Sequence, residues 1–205
     1  MEILAKLFGS AEKVKMMKLF LFNPDLEFDN VDILERTKIT LVALRRELAL
    51  LSKINFIKKK SFYKENEKKS GGKSKNIKKR VDGWVLDRSF PFLSPLQNLL
   101  IDNGSLDSNE IIEKLKKVGN LKLLIVAGVF IQDINSRADI LIVGDGLNEA
   151  ILEKSIQNLE SEVGKELRYV VFETADFKYR LGIYDKLLRD ILDYSHRKLI
   201  NKIGV

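Results

Sequence analysis

ThrLeuValAlaLeuArgArgGluLeuAlaLeuLeuSerLys, residues 40–53, decides how the first half of this chain folds. Its leucines recur at spacings of three and four residues, which places them on one face of a helix. These leucines are Leu41, Leu44, Leu48 and Leu51. The opposite face is small and cationic, and it carries Val42, Arg46, Ala49 and Lys53, with Arg45 at its edge. We therefore predict a helix that is capped by Thr40 and that has an apolar inner face and a cationic outer face.

Two further helices are predicted before this one. Ser10 is a suitable N-cap, and the apolar stripe that follows it continues to Asn23. Asn30 is predicted to cap a short second helix, which ends near Thr37. Ile39 is predicted to pack inward in the turn that follows. The order of these elements is helix, helix, turn, helix.

A cationic hairpin is predicted after the three helices. Residues 56–63 and 81–86 have the apolar and aromatic character of strands, and residues 70–75, SerGlyGlyLysSerLys, have the composition of a loop. From Lys53 to Arg80 there are 12 Lys or Arg and 2 Glu, whereas the rest of the chain carries a net negative charge. A positive charge this local indicates a surface that binds a polyanion.

A helix-turn-helix followed by a basic hairpin is the layout of a winged helix-turn-helix, whose second helix enters the DNA major groove. The alternative is an ordinary amphipathic helix before a solvated loop.

The composition excludes several classes of site. The chain has 205 residues, 45% of them hydrophobic, which is enough for a substantial core. It contains no cysteine and only one histidine, His196, so neither a thiolate metal site nor histidine-centred catalysis is expected. The N-terminus does not resemble a signal peptide, and the longest apolar run, residues 123–131, is too short to cross a membrane. We expect a cytoplasmic protein that does not associate with membranes.

The second half of the chain alternates strands with helices. A boundary is expected near Pro91 and Pro95, followed by a connector with helices at residues 96–101 and 108–118. Alternating elements of this kind predict an α/β or α+β domain with its own core. The predicted strands are residues 121–129, 139–143 and 167–172, and the predicted helices are residues 147–163 and 176–203.

The chain resembles winged-helix regulators that are fused to a minimal nucleotidyltransferase-like domain. Residues 7–24, LeuPheGlySerAlaGluLysValLysMetMetLysLeuPheLeuPheAsnPro, resemble the first helix of such regulators, and residues 38–51 resemble their recognition helix. ValAlaGlyValPhe (126–130), SerArgAlaAspIleLeuIleValGlyAsp (136–145) and GlyLysGluLeuArgTyrValValPhe (164–172) fall where the nucleotidyltransferase fold has its GlySer turn and its acidic strands. The resemblance implies an α+β chain with a winged-helix domain at residues 1–92, a helical connector at 93–119 and a small mixed-sheet α/β domain at 120–205.

The resemblance also implies that the second domain is catalytically degenerate. Nucleotidyl transfer needs two carboxylates that flank one residue and hold Mg²⁺ together. Only Asp139 stands at such a position, because Arg137 replaces the first carboxylate and Arg168 stands where a third acid is expected. The GlySer turn is replaced by Gly128 and Val129. We therefore expect no enzymatic activity, no metal and no cofactor.

Two interpretations of the degenerate cleft remain open. In the first, Gly128, Arg137, Asp139 and Arg168 form an anion pocket, because two neighbouring guanidinium groups favour a phosphate or another anion. In the second, the arginines form ion pairs with Asp139 or Glu166 and bind no ligand.

The sequence thus predicts a DNA-binding transcriptional regulator with a non-catalytic effector or assembly domain. Its expected partners are double-stranded DNA, a second copy of the chain in a homodimer, and a protein bound through the C-terminal domain. An antitoxin-like protein that represses its own operon is the alternative, and an active nucleotidyltransferase is a third reading. Base contacts are predicted for Thr40, Val42, Arg45 and Arg46. Phosphate contacts are predicted for Lys58, Lys60, Lys73, Lys75, Lys78, Lys79 and Arg80.

Overall fold

The computed structural model describes residues 2–70, 73–102, 106–133 and 135–205, with side chains for all of them except 2, 66–70, 73–77 and 102. The chain divides into two compact units, Met1–Ile101 and Asp102–Val205. The division falls within the predicted connector, so residues 93–101 belong to the first unit and the rest to the second. Both units combine helices with strands, as the predicted α+β class requires.

The first unit consists of helices that pack against the base of a two-stranded hairpin. Its helices are α1 (Glu2–Phe8), α2 (Ala11–Phe22), α3 (Asn30–Thr37), α4 (Leu41–Lys53) and α5 (Leu93–Gln97), which continues into a π-helical turn (Asn98–Asp102). The hairpin strands are β1 (Ile57–Ser70) and β2 (Lys73–Leu86).

The helix starts follow from their cap residues. Ser10 and Thr40 cap α2 and α4 as predicted, because each side chain accepts a hydrogen bond from the backbone amide three residues on. The prediction for α3 was wrong by one residue, since Asp29 and not Asn30 is its cap. Asp29 and Asp32 form a capping box in which each side chain accepts from the other residue's backbone amide.

Helix α4 buries an apolar face that differs slightly from the predicted one. Leu44, Leu48 and Leu51 are buried in the core of the first unit, whereas Leu41 is exposed. Leu41 is the first residue of the helix, where no preceding turn covers its side chain. The inner face instead includes Glu47, a charged residue that the sequence pattern did not place inside. Apolar residues of α2, the segment before α3, α3 itself and the hairpin base complete this core: Val14, Met16, Phe20, Phe28, Ile33, Phe56, Ile57 and Leu86, with Ile39 packed against them as predicted.

The hairpin is much longer than predicted. The register runs from Ile57 opposite Leu86 to Ser70 opposite Lys73, so most of the expected loop is paired strand. Gly71 and Gly72 lie outside the described residues. The sequence concealed these strands because lysine, glutamate and asparagine have low strand propensity, whereas ladder hydrogen bonds come from the backbone of any residue.

Lys64 attaches the hairpin to the start of α3. Its Nζ lies 2.9 Å from Oδ2 of Asp29 and 2.6 Å from Oδ1 of Asp32. Burial opposes the charged form of Asp29, but the Asp32 backbone amide and the Lys64 ammonium outweigh it and lower the pKa of Asp29. Burial likewise opposes the charge of Lys64, but its hydrogen bonds to Asp32 and Asp29 raise the pKa of Lys64. The capping box therefore stabilises both the helix and the hairpin.

The second unit is built around a four-stranded mixed sheet in the order β5-β4-β3-β6. Strands β4 and β5 are parallel, and β3 is antiparallel to both β4 and β6. The strands are β3 (Asn120–Val126), β4 (Ile140–Asp145), β5 (Tyr169–Phe172) and β6 (Arg197–Asn201). The helices are α6 (Ser108–Leu115), α7 (Glu149–Val163), α8 (Thr174–Gly182) and α9 (Lys186–Leu192).

Two predictions for the second unit were wrong. Strand β3 ends at Val126 and not at residue 129, because the chain turns into a 3-10 helix, Gly128–Phe130. The segment 176–203 is not mostly helical, since it also contains β6. Among the described residues, no helix is both long enough and apolar enough to cross a bilayer.

We predict that Asp29→Ala destabilises the chain by about 1–2 kcal/mol at neutral pH, because it removes the cap of α3 and a partner of Lys64. Urea unfolding measures this loss. Since the pKa of Asp29 is lowered in the fold, its contribution is present above its unfolded pKa and is lost as the pH falls below about 4. The difference between the two proteins should therefore shrink in acid.

Asp25→Ala is the matched control, because Asp25 is an exposed aspartate that, among the described side chains, pairs with the exposed Arg88 alone. This control should change the free energy of unfolding by less than about 0.5 kcal/mol. An equal loss in both variants, or a loss for Asp29→Ala that does not depend on pH, would refute the capping-box account.

Candidate functional site

The outer face of α4 is exposed, as the sequence predicts. Val42, the second residue of the helix, is 77% exposed. Arg45, Arg46 and Lys53 are exposed beside it. Thr40 caps the helix with its hydroxyl, so this side chain is already committed to a hydrogen bond with the backbone.

Arg46 is held by a buried carboxylate. Glu47 is only 2% exposed, and its Oε1 lies 2.9 Å from Nε and 2.8 Å from Nη2 of Arg46. The other oxygen, Oε2, makes no hydrogen bond to a described residue, and Nζ of Lys13 lies 3.9 Å from it. The burial of Glu47 was not predicted from the sequence, because a glutamate next to two arginines is typical of an exposed helix surface. The ion pair fixes how the Arg46 guanidinium is oriented on the outer face.

Three of the predicted phosphate-binding lysines form exposed ion pairs. Lys58 pairs with Asp87 at 3.3 Å, Lys60 with Glu27 at 2.7 Å, and Lys78 with Glu65 at 3.3 Å. Exposed pairs of this kind contribute about 0–1 kcal/mol each. A phosphate can therefore replace the carboxylate partner at little cost.

Lys79 and Arg80 are exposed, and neither forms an ion pair with a described side chain. The register places Lys79 opposite Lys64 and Arg80 opposite Tyr63. Lys73 and Lys75 lie in β2, but their side chains are outside the described part of the chain.

The register also sorts the charges by face, because side chains alternate along each strand. The two faces can be assigned for residues 57–65 and 78–86, the part of the hairpin whose side chains are described. One face carries cations and no acid: Lys58, Lys60, Lys64 and Lys79. The other face mixes both signs: Lys59, Lys78, Arg80, Glu65 and Asp82. In the fold, Lys58, Lys60 and Lys64 of the acid-free face each pair with an acid from outside these two stretches, which leaves Lys79 as the cation of this face without a described carboxylate partner.

Asp139 is the buried carboxylate of the predicted anion pocket in the second unit. It is 1% exposed and precedes β4. Its Oδ1 accepts from the Val129 amide at 3.0 Å and from Nη2 of Arg168 at 3.3 Å. Its Oδ2 accepts from the backbone amide of Arg168 at 2.9 Å and from Nε of Arg168 at 3.2 Å. Both carboxylate oxygens are therefore engaged within the chain.

Gly128 is required by the close approach of this carboxylate. Its φ is +50°, and a Cβ at this position would lie 2.0 Å from Oδ1 of Asp139. No side chain fits in that space. The turn that the resemblance assigns to phosphate binding surrounds an aspartate of the same chain.

The structure brings together only part of the predicted anion pocket. Gly128, Asp139 and Arg168 meet, whereas Nε of Arg137 lies 3.5 Å from Oδ2 of Asp190 in α9. Each arginine therefore already has a carboxylate partner. Within the described residues, no group of three acidic or histidine side chains is arranged to hold a metal ion.

Comparison of the chain with protein-family models, with curated proteins and with solved structures finds no significant match. The site must therefore be interpreted from its own geometry.

We predict that Gly128→Ala destabilises the chain more than Gly146→Ala. Both glycines have positive φ, +50° and +61°, so both variants pay about 1–2 kcal/mol for alanine in the left-handed region. Nothing lies near a Cβ at Gly146, whereas a Cβ at Gly128 displaces the buried Asp139. Urea unfolding should show an additional loss of about 3 kcal/mol at Gly128, the order expected when a buried ion pair is broken. Equal losses would show that the turn does not depend on Asp139.

Proposed function

We propose that this chain is a DNA-binding transcriptional regulator whose first unit binds double-stranded DNA as a winged helix-turn-helix. The observation that carries the proposal is that α4 exposes Val42, Arg45 and Arg46, while the lysine-rich hairpin that follows it exposes Lys79 and Arg80 without a described carboxylate partner. A recognition helix needs exposed side chains that reach base edges, and a wing needs cations that reach phosphates.

The side chains of α4 suit direct readout of bases. Arginine donates two hydrogen bonds to O6 and N7 of guanine, and an apolar side chain contacts the methyl group of thymine. Arg45 and Arg46 fit the first role, and the exposed Val42 fits the second. Because Glu47 already holds Nε and Nη2 of Arg46, the guanidinium loses less conformational entropy when it binds a base.

The hairpin suits contacts with the phosphate backbone. Lys79 and Arg80 have no described carboxylate partner, and Lys58, Lys60 and Lys78 are held only by exposed pairs. Lys73 and Lys75 remain predictions from the sequence. A duplex that binds here replaces weak intramolecular pairs with phosphate contacts and releases counterions.

We propose that the second unit is a non-catalytic effector or assembly domain derived from the nucleotidyltransferase architecture. Both oxygens of Asp139 are engaged by Arg168 and by backbone amides, which leaves this carboxylate little capacity to coordinate Mg²⁺.

We also propose that the chain acts as a homodimer, because α4 offers few long polar side chains and two copies double the number of base contacts.

We predict that DNA binding depends strongly on salt. If roughly five phosphates are contacted, log K should fall with log salt with a slope of about −4 to −5. Fluorescence anisotropy with a random duplex of about 30 base pairs, over a range of KCl concentrations, measures the slope. Lys79→Ala/Arg80→Ala should reduce its magnitude by about 2, since each cation contributes about 1.

Lys154→Ala/Lys165→Ala removes the same charge from exposed positions of the second unit and is the matched control. This variant should keep the slope of the unmodified protein. An unchanged slope in Lys79→Ala/Arg80→Ala would place the phosphate contacts elsewhere and refute the proposed role of the hairpin.

We predict that Arg46 and Glu47 act as one unit in sequence recognition. On duplexes selected by the protein from a random library, Arg46→Ala should weaken binding by about 1–3 kcal/mol, and on random duplexes by much less. Glu47→Gln should weaken binding to the selected duplexes in part, because it releases the guanidinium. The double variant should bind no more weakly than Arg46→Ala alone.

Lys53→Ala serves as the control within α4, because Lys53 is an exposed cation in the last turn of the helix. We expect this substitution to weaken binding to selected and random duplexes equally. If Arg46→Ala behaves in the same way, Arg46 contacts phosphate and does not read a base. Additive effects of Arg46→Ala and Glu47→Gln would contradict the positioning role of Glu47.

A further inference from the structure

A groove of about 500 Å³ lies between β5 and the first half of α7. Its apolar floor is formed by Leu152 of α7 and by Tyr169 and Val171 of β5. Neither the DNA-binding proposal nor the Asp139 cluster uses this groove.

Strand β5 is an edge of the sheet. Its partner is β4, and no other described strand pairs with it. The Arg168 carbonyl accepts from the Ile140 amide at 3.2 Å, which fixes the phase of the parallel ladder. Along a strand, the backbone N–H and C=O groups of successive residues point alternately to one side and to the other. Since the backbone carbonyl of Arg168 points toward β4, the backbone groups of Tyr169 and Val171 point away from β4. The groove is therefore bordered by backbone donors and acceptors that no described strand satisfies.

Strand β5 is short, with four residues, and its own sequence carries no charge or proline at this edge. Natural edge strands commonly carry a lysine, a proline or a bulge that prevents pairing with another chain. The strand reads TyrValValPhe, with neither charge nor proline, and its pairing with β4 has no irregularity. An open apolar edge beside a helix is the geometry in which several peptide-binding domains add an extended ligand as a further strand.

The rim of the groove is acidic. Glu149 and Glu153 lie one turn apart on α7, and Glu173 follows the end of β5. All three side chains are exposed, and none pairs with a described lysine or arginine. An acidic rim around an apolar floor favours a ligand that alternates basic and apolar residues.

We propose that this groove binds a basic, extended segment of a partner protein by strand addition to β5. Backbone hydrogen bonds with Tyr169 and Val171 would hold the segment, its apolar side chains would cover the floor, and its cations would face the three glutamates. A second copy of the chain is a poorer occupant, because two copies that meet at β5 would bring two acidic rims together. DNA is excluded from the groove by the same charge.

A fluorescein-labelled peptide of about nine residues that alternates lysine and valine is a suitable probe. The full chain should bind it in an anisotropy titration, and the same peptide with N-methyl groups on alternate amides should bind at least about tenfold more weakly. Val171→Pro should also weaken binding by at least about tenfold. The Val171 amide points outward, so proline removes a donor to the ligand and spares the ladder with β4.

Glu153→Lys tests the charge of the rim, and Glu113→Lys is its matched control. Both residues are exposed glutamates on helices of the second unit, but Glu113 lies on α6 and pairs with Lys116. Glu153→Lys should weaken peptide binding several-fold, and Glu113→Lys should leave it unchanged.

Several results would overturn the proposal. The first is absence of binding by the full chain, and the second is equal binding of the N-methylated peptide. A third is equal affinity in Glu153→Lys and Glu113→Lys. Sedimentation provides a separate check, because self-association that disappears in Val171→Pro would show that a second copy occupies the edge.

Discussion

Two lysines face each other across the β1–β2 hairpin, and the first unit has to hold them there. Lys64 lies opposite Lys79, an arrangement that destabilises an isolated ladder. The repulsion between the two lysines is offset at the base of the hairpin, where Ile57 and Leu86 are buried and the capping box of α3 neutralises Lys64. The excess positive charge is therefore held in place both by packing at the base and by acidic partners such as the capping box. A polyanion relieves this repulsion, which is why the hairpin, together with the outer face of α4, determines the proposed function.

The parts of the fold that the sequence predicted well are those specified by neighbouring residues. Ser10 and Thr40 were identified as caps because a cap and its amide partner lie three residues apart, and α7 was found because its apolar stripe is long. The missed parts depend on distant pairing. The lysine-rich outer segments of β1 and β2 have no strand pattern of their own, and β6 is a strand only because β3 supplies its partner.

The candidate site was predictable to a similar extent. Exposure of Val42, Arg45 and Arg46 followed from helical periodicity, whereas burial of Glu47 did not, because its position depends on how α2 and α4 pack. Asp139 and Arg168 are 29 residues apart, and the sequence left open whether they form an anion pocket or an ion pair. The structure shows the ion pair, because the sheet brings the two residues together. Where the resemblance implies a ligand pocket, the structure has an ion pair between the buried Asp139 and the half-exposed Arg168, with the turn at Gly128 against the carboxylate. The acidic groove beside β5 had no sequence signal, since an edge strand is defined only by the order of the whole sheet.

Genome-wide mapping with the purified protein tests DNA binding by α4 and the hairpin most directly. Fragments of the organism's own DNA are captured by the full chain and by Arg45→Ala/Arg46→Ala, and both sets are sequenced. We predict a discrete set of enriched sites that share a motif, and loss of that enrichment in the variant while bulk DNA is still retained at low salt. Capture without enrichment, or the same enriched sites with both proteins, would contradict recognition of DNA by the outer face of α4.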